Sequence, residues 1–391
     1  VFSEHPPLMF WLLSLCFTVF GDSIAVEKGF SIFTFFISVL LLWQIWIKLN
    51  RDDSLIVKAF PVALFFLLIA GRISWGFANG FLENLLTVFS LASILLMILA
   101  YQSQHHCLTE FRRIALIALA GMMICLSLLT KGPVGLFPLA TPLIYWIAFR
   151  KPNLSIIFFD LLILSAIILV FLLILHTYAD SRDAMNRYLS SQLLPSMRGD
   201  RGSFGGRLNV LRKILGINGY AIIIIGFFIF LARKYAWKID AEATPFSRNQ
   251  RSLFLLLIAL SSSLPIGLSA RVANFYFNPS VFFYASGMAV FGAPAMFACF
   301  SKLSLNLAGW IRNASFLLLA FSIVYVFMNI GEPGEEAQTI KHVTTIKQFV
   351  CKNNVECKPR ISACDSVWVN WTLQAYLQRW YKINLERAGN E

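Results

Sequence analysis

Long apolar runs separated by short polar interruptions fill most of the chain. Ten of them, at 30–47, 59–78, 85–101, 114–130, 134–149, 156–178, 217–231, 253–268, 280–300 and 314–330, approach the length of a bilayer crossing, which takes about 20 residues of helix. The run 8–20 is too short to cross and stops at Gly21-Asp22, so it reads as a helix packed in the interface. The pattern predicts an all-α, multi-pass transmembrane protein of about ten spans plus that interfacial helix. Two stretches stay polar: 179–213 reads as a long loop, and 331–391 as a small tail after a membrane domain over 1–330.

Composition points the same way. Only 14% of the 391 residues are charged, against about 25% in a soluble domain. The net charge of +13 would suit a nucleic-acid partner, but in a membrane chain it marks basic cytoplasmic loops, and no nucleic acid is expected. With the face bearing Glu4 taken as outside, alternation puts Lys48, Arg51, Arg112, Arg113, Arg150, Lys151, Arg233, Lys234, Arg248 and Arg251 inside. That is the positive-inside pattern. Ten crossings return the tail to the outside, where one disulfide among Cys351, Cys357 and Cys364 would survive and leave an odd thiol. The chain begins at Val1 rather than Met, and the expectation is that an N-terminal portion precedes it.

One loop runs against the charge rule. The outer stretch 179–213 carries Arg182, Arg187, Arg198, Arg201, Arg207, Arg212 and Lys213. A solvated loop or contact with anionic headgroups accounts for this. So does a docking surface for a phosphate, to which arginine offers bidentate charge-assisted bonds. Three further polar islands fall on the same side. Glu4-His5 is stiffened by Pro6 and Pro7 just before the interfacial run, Glu83 sits at the mouth of a span, and Lys131-Gly132-Pro133 breaks two apolar runs. A fourth, 271–279, brings Arg271 and Tyr276. Each alone has an ordinary explanation as a chain start, a snorkelling side chain, a turn anchor or an aromatic belt. Their shared side suggests an active site at a water–lipid boundary. Carboxylates, basic groups and a bilayer suit sugar transfer from a lipid phosphate: a carboxylate takes the proton of an attacking hydroxyl, and cations or phenols stabilise the departing phosphate.

Glu4-His5-Pro6-Pro7-Leu8, Leu82-Glu83-Asn84, Leu129-Thr130-Lys131-Gly132-Pro133-Val134-Gly135-Leu136 and Tyr276-Phe277-Asn278-Pro279 occur in the order expected of one known group. Over roughly 1–300 the chain resembles the polyprenyl-phosphate-sugar-dependent glycosyltransferases of the GT-C fold, the superfamily of bacterial aminoarabinose transferase and the protein O-mannosyltransferases. The resemblance implies an inverting transferase in a bacterial cytoplasmic membrane, with its site extracytoplasmic, the face to which the crossing count also assigns the tail. It implies Glu4 and Glu83 as catalytic carboxylates, and His5, Lys131, Tyr276 and the loop bearing Arg198, Arg201 and Arg207 around the carrier phosphate. The family's first acidic residue lies upstream of Glu4, before this sequence starts, and Arg271 departs from the family pattern ahead of Tyr276. The implied partners are a polyprenyl-phosphate sugar donor, a lipid, glycan or protein acceptor, and membrane lipids. No cofactor is assigned; a divalent metal ion between carboxylate and phosphate is compatible, but no ligand cluster demands one. A transporter or flippase of lipid-linked substrates, and a non-catalytic membrane scaffold, are the alternatives.

Overall fold

The computed structural model describes residues 5–70, 73–102, 108–199, 209–235, 246–269, 272–329, 336–351 and 359–388. In chain order the helices are α1 (Leu8–Phe20), α2 (Ile24–Asn50), α3 (Ser54–Lys58), α4 (Phe60–Ile69), α5 (Ile73–Ala78), α6 (Leu82–Gln102), α7 (Leu108–Lys131), α8 (Thr141–Phe149) and α9 (Leu154–Thr177). They continue with α10 (Ala179–Tyr188), α11 (Leu194–Arg198), α12 (Asn209–Lys234), α13 (Arg248–Ser263), α14 (Asn278–Phe300) and α15 (Leu305–Met328). The last stretch holds α16 (Ala337–Cys351), β1 (Arg360–Ala363), α17 (Asp365–Trp368), α18 (Trp371–Tyr381) and β2 (Asn384–Arg387). The chain divides into two compact units, Val1–Lys302 and Leu303–Glu391.

Eight helical stretches are long and apolar enough to cross a membrane, and the chain is an integral membrane protein by that measure. Two local departures explain the difference from ten. The runs 114–130 and 134–149 lie within one continuous stretch, Glu110–Phe149, which folds back on itself. Gly132 takes φ +73°, and a Cβ on Gly135 would lie 2.6 Å from the Ser127 backbone, so the chain reverses at Lys131 and packs down α7. The returning strand of the hairpin opens as a 3-10 helix, Gly132–Ala140, holding Pro133 and Pro138. Pro138 has no N–H to give and would clash in an α-helix. At about 2.0 Å per 3-10 residue and 1.5 Å per α residue, 132–149 reaches about 31 Å, enough for a crossing of about 30 Å. The run 59–78 is divided in turn: Ala70 is extended (φ −63°, ψ 126°) and ends α4 before α5 begins. α2 starts earlier than its apolar run because the Ser23 hydroxyl accepts the Val26 N–H and caps an orphan donor.

α14 is the most enclosed of the candidate spans. Ala285, Ala289 and Ala293 are buried on it, and such small side chains let α12, α13 and α4 come close. At one end of this unit an ionic knot ties the α2–α3 corner to the start of α13. Arg248 Nε donates to Asp53 Oδ2 at 2.7 Å and Arg251 Nη2 to the same oxygen at 2.9 Å. Arg251 Nη1 reaches Asn50 Oδ1 at 3.1 Å, and Asp53 Oδ1 caps α3 through the Ile56 N–H at 3.2 Å. Burial by itself would raise the Asp53 pKa, but these arginines and that amide hold it below the ordinary carboxylate value. Nearby, Arg113 pairs with Asp160 to join α7 and α9.

The second unit holds the eighth apolar helix, α15, and a small α/β fold within the stretch that the sequence marks only as a polar tail. β1 and β2 pair in parallel, Arg360 opposite Asn384, with α17 and α18 as the crossover. Val343, Cys351, Leu373, Leu377 and Ile383 make its core. Cys351 is disulfide-bonded, while Cys364 is a free thiol.

Candidate functional site

The other end of the first unit gathers the chemistry. α6 opens on Leu82-Glu83, and the turn before it is fixed by Asn84, whose side-chain amide donates to the carbonyls of Gly76 at 3.1 Å and Asn79 at 2.8 Å. Lys28 fastens the same turn to α2, donating to the Ala78 carbonyl at 2.7 Å. Glu83 is thereby buried at 2% exposure. Lys131, the last residue of α7, arrives at the hairpin tip 48 positions later, and its ammonium pairs with Glu83 Oε1. With its side chain 11% exposed, Lys131 has little water to solvate it, and a buried ion left without its partner would cost several kcal/mol.

Rings enclose the pair. Lys131 Nζ lies 4.1 Å from the centre of the Tyr276 ring and 5.7 Å from that of Phe275, both within cation–π range. Phe275 stacks on Phe81 at 4.4 Å, and Phe81 meets Trp75 at 5.0 Å. The 272–277 segment carrying these rings is tied to α12, because the Lys213 ammonium donates to the Val272 carbonyl. From α10 comes Tyr188: a Cβ on Gly132 would lie 2.6 Å from its hydroxyl, so the phenol rests against the hairpin tip. Burial, and the neighbouring Tyr276, push the Tyr188 pKa up.

Of the residues singled out in the sequence, Glu83, Lys131 and Tyr276 come together here. His5 is exposed ahead of α1. Met9 of α1 packs with Leu82 and Leu85, so the chain start lies at the Glu83 end. Arg198 closes α11 and is exposed. Glu4, Arg201, Arg207 and Arg271 lie outside the described residues. The expected loop at 179–213 is helical over most of its described length: α10, a π-helical turn at Leu189–Leu193, and α11, which Pro195 starts from its first turn. Sequence reasoning missed Tyr188. The signal available was a helical stripe, Ser181, Met185 and Tyr188, whose members are half-buried while most of α10 is exposed. Among the described residues no three His, Cys, Asp or Glu side chains cluster in a way that could hold a metal ion.

No protein-family model matches the chain, and no curated protein matches it by sequence. Solved structures do. ArnT from Cupriavidus metallidurans bound to undecaprenyl phosphate superposes with a TM-score of 0.55 at 14% identity, over 88% of this chain and 59% of that one. The apo state of the same ArnT gives a TM-score of 0.51 at 14% identity, over 90% of this chain and 56% of that one. The chain thus spans under two thirds of the length of the ArnT chains it matches. It has the GT-C fold of this aminoarabinose transferase.

Proposed function

We propose that the chain carries the catalytic end of a membrane glycosyltransferase that moves a sugar from a polyprenyl phosphate to an acceptor, with inversion, on the extracytoplasmic face. A bacterial cytoplasmic membrane is the expected setting, and lipid A, a protein hydroxyl or another envelope glycan the expected acceptor. The observation that carries the reading is the buried Glu83–Lys131 pair roofed by Tyr276. It sits on the fold of an ArnT whose structure contains undecaprenyl phosphate. Lys131 is the cation the carrier phosphate meets inside the bundle, with His5, Tyr276, Arg198, Arg201 and Arg207 closing from the chain start, the 272–277 segment and the arginine-rich stretch. Glu83 holds the ammonium in place and shares it when the phosphate arrives. The acceptor oxygen attacks the anomeric carbon, the bond from that carbon to the phosphate oxygen breaks, and polyprenyl phosphate leaves with the electron pair. The acceptor proton passes to a carboxylate, Glu4 in this reading. A phosphate leaving group is a weak base, so no separate general acid is needed.

The test is transfer in proteoliposomes from radiolabelled polyprenyl-phosphate sugars to a membrane extract. The variant is the double substitution Glu83→Gln/Lys131→Met, which removes both buried charges and leaves neither stranded. Transfer should fall about 100-fold or more, the scale of losing a preorganised charge contact, with thermal unfolding nearly unchanged. Wild-type rates in a folded double variant would sink the assignment.

A further inference from the structure

We infer that the hydroxyl of Tyr188 is a donor to the carrier phosphate, placed there by α10; the inference rests on the carrier reading above. Lys131 is already matched by Glu83, so the pair is neutral overall and an arriving anion that shares the ammonium gains from further donors that no carboxylate holds. The Tyr188 O–H is such a donor: it makes no hydrogen bond among the described residues. It lies against Gly132, immediately after Lys131 in the chain and beside the ring that covers the ammonium.

Three features fix it there. A side chain at position 132 would collide with the phenol, the Cβ lying 2.6 Å from the hydroxyl and 3.0 Å from Cζ, so only glycine lets the ring approach the hairpin tip. Ser181, Met185 and Tyr188 form the half-buried face of a helix that is otherwise mostly exposed, and Tyr188 is its last residue. Directly after it the helix widens into the π-helical turn at Leu189–Leu193, a local underwinding that is frequent at functional positions. A phenol is protonated at neutral pH, and burial and the neighbouring Tyr276 push its pKa further up, so it donates and does not repel an anion. α10 is thereby the near wall of the phosphate site as well as the start of the arginine-rich stretch.

Tyr188→Phe keeps the ring on Gly132 and removes only the donor. The full chain would be reconstituted in vesicles of phosphatidylethanolamine and phosphatidylglycerol and titrated with undecaprenyl phosphate, and separately with undecaprenol, the same tail without the charge. A lost hydrogen bond to a charged group predicts about a tenfold weaker affinity for the phosphate, with undecaprenol binding and thermal unfolding unchanged. Unaltered phosphate affinity in the variant, or an equal loss for both ligands, overturns the assignment of Tyr188 and leaves the carrier reading standing. A wild type that binds the two ligands equally overturns the carrier reading, and Tyr188 falls with it.

Discussion

The two ends of the first unit both bury charge, and they do so in opposite ways. At the Arg251 end one carboxylate, Asp53, receives two guanidinium groups and a helix-capping amide, and Asn50 takes a further guanidinium bond. Hard, multiply bonded contacts between rigid planar groups leave the knot little to exchange. At the Lys131 end the pair is one ammonium and one carboxylate, and the remaining neighbours are ring faces, a glycine and a phenol. A compact ammonium on a flexible stem can turn to a new anion while keeping its ring contacts, as a bidentate guanidinium cannot. The first arrangement anchors helices. The second suits binding.

The comparison breaks most sharply at Asp53. Asp53→Ala leaves Arg251 buried without its carboxylate, and the expected cost is about 3–5 kcal/mol of stability, read as a lowered thermal midpoint in detergent. A loss under about 1 kcal/mol would mean the knot is not the anchor. Next comes the packing of the hairpin. In Gly135→Ala the new methyl meets the Ser127 backbone at 2.6 Å, and overpacking of that kind costs about 1–3 kcal/mol. Thermal melting at the wild-type midpoint would show that the two legs of the hairpin are looser than described. The smallest effect is acid sensitivity. Asp53 titrates below its unfolded value, so its contribution is complete above about pH 4 and fades as pH falls through the folded value. Thermal midpoints measured from pH 6 downward should drop in the wild type more than in Asp53→Asn, and parallel curves would remove the carboxylate from the account.

Much of the architecture was legible in the sequence because periodicity and polarity are local signals. The span order, the short helix at 8–20 and the break at Lys131-Gly132-Pro133 all follow from runs of a few residues. The bend at Ala70 did not, since alanine in an apolar run signals nothing. For the site, Glu83, Lys131 and Tyr276 could be picked out singly, and sharing one side made them candidates. Their pairing could not be read, because Glu83 and Lys131 are 48 positions apart and only the packing of α6 on α7 joins them. Tyr188 was hidden by its surroundings: among Asp180, Arg182, Asp183 and Arg187 it passes for an ordinary residue of a solvated stretch, and its neighbour Gly132 gives its reason only in three dimensions.

The 3-10 leg of the hairpin has a consequence for the membrane around it. Because Pro138 lies inside the 3-10 leg and disfavours an α-helical alternative, the reach from Lys131 to Arg150, which stacks on Trp146 at 4.6 Å, is a ruler of nearly set length. A crossing that cannot shorten or stretch transmits hydrophobic mismatch to its ends. With Arg150 and Trp146 anchored in one interface, a thicker bilayer draws the Lys131 tip toward hydrocarbon and a thinner one lifts it toward water. Lipid chain length thereby sets how much water the ammonium meets.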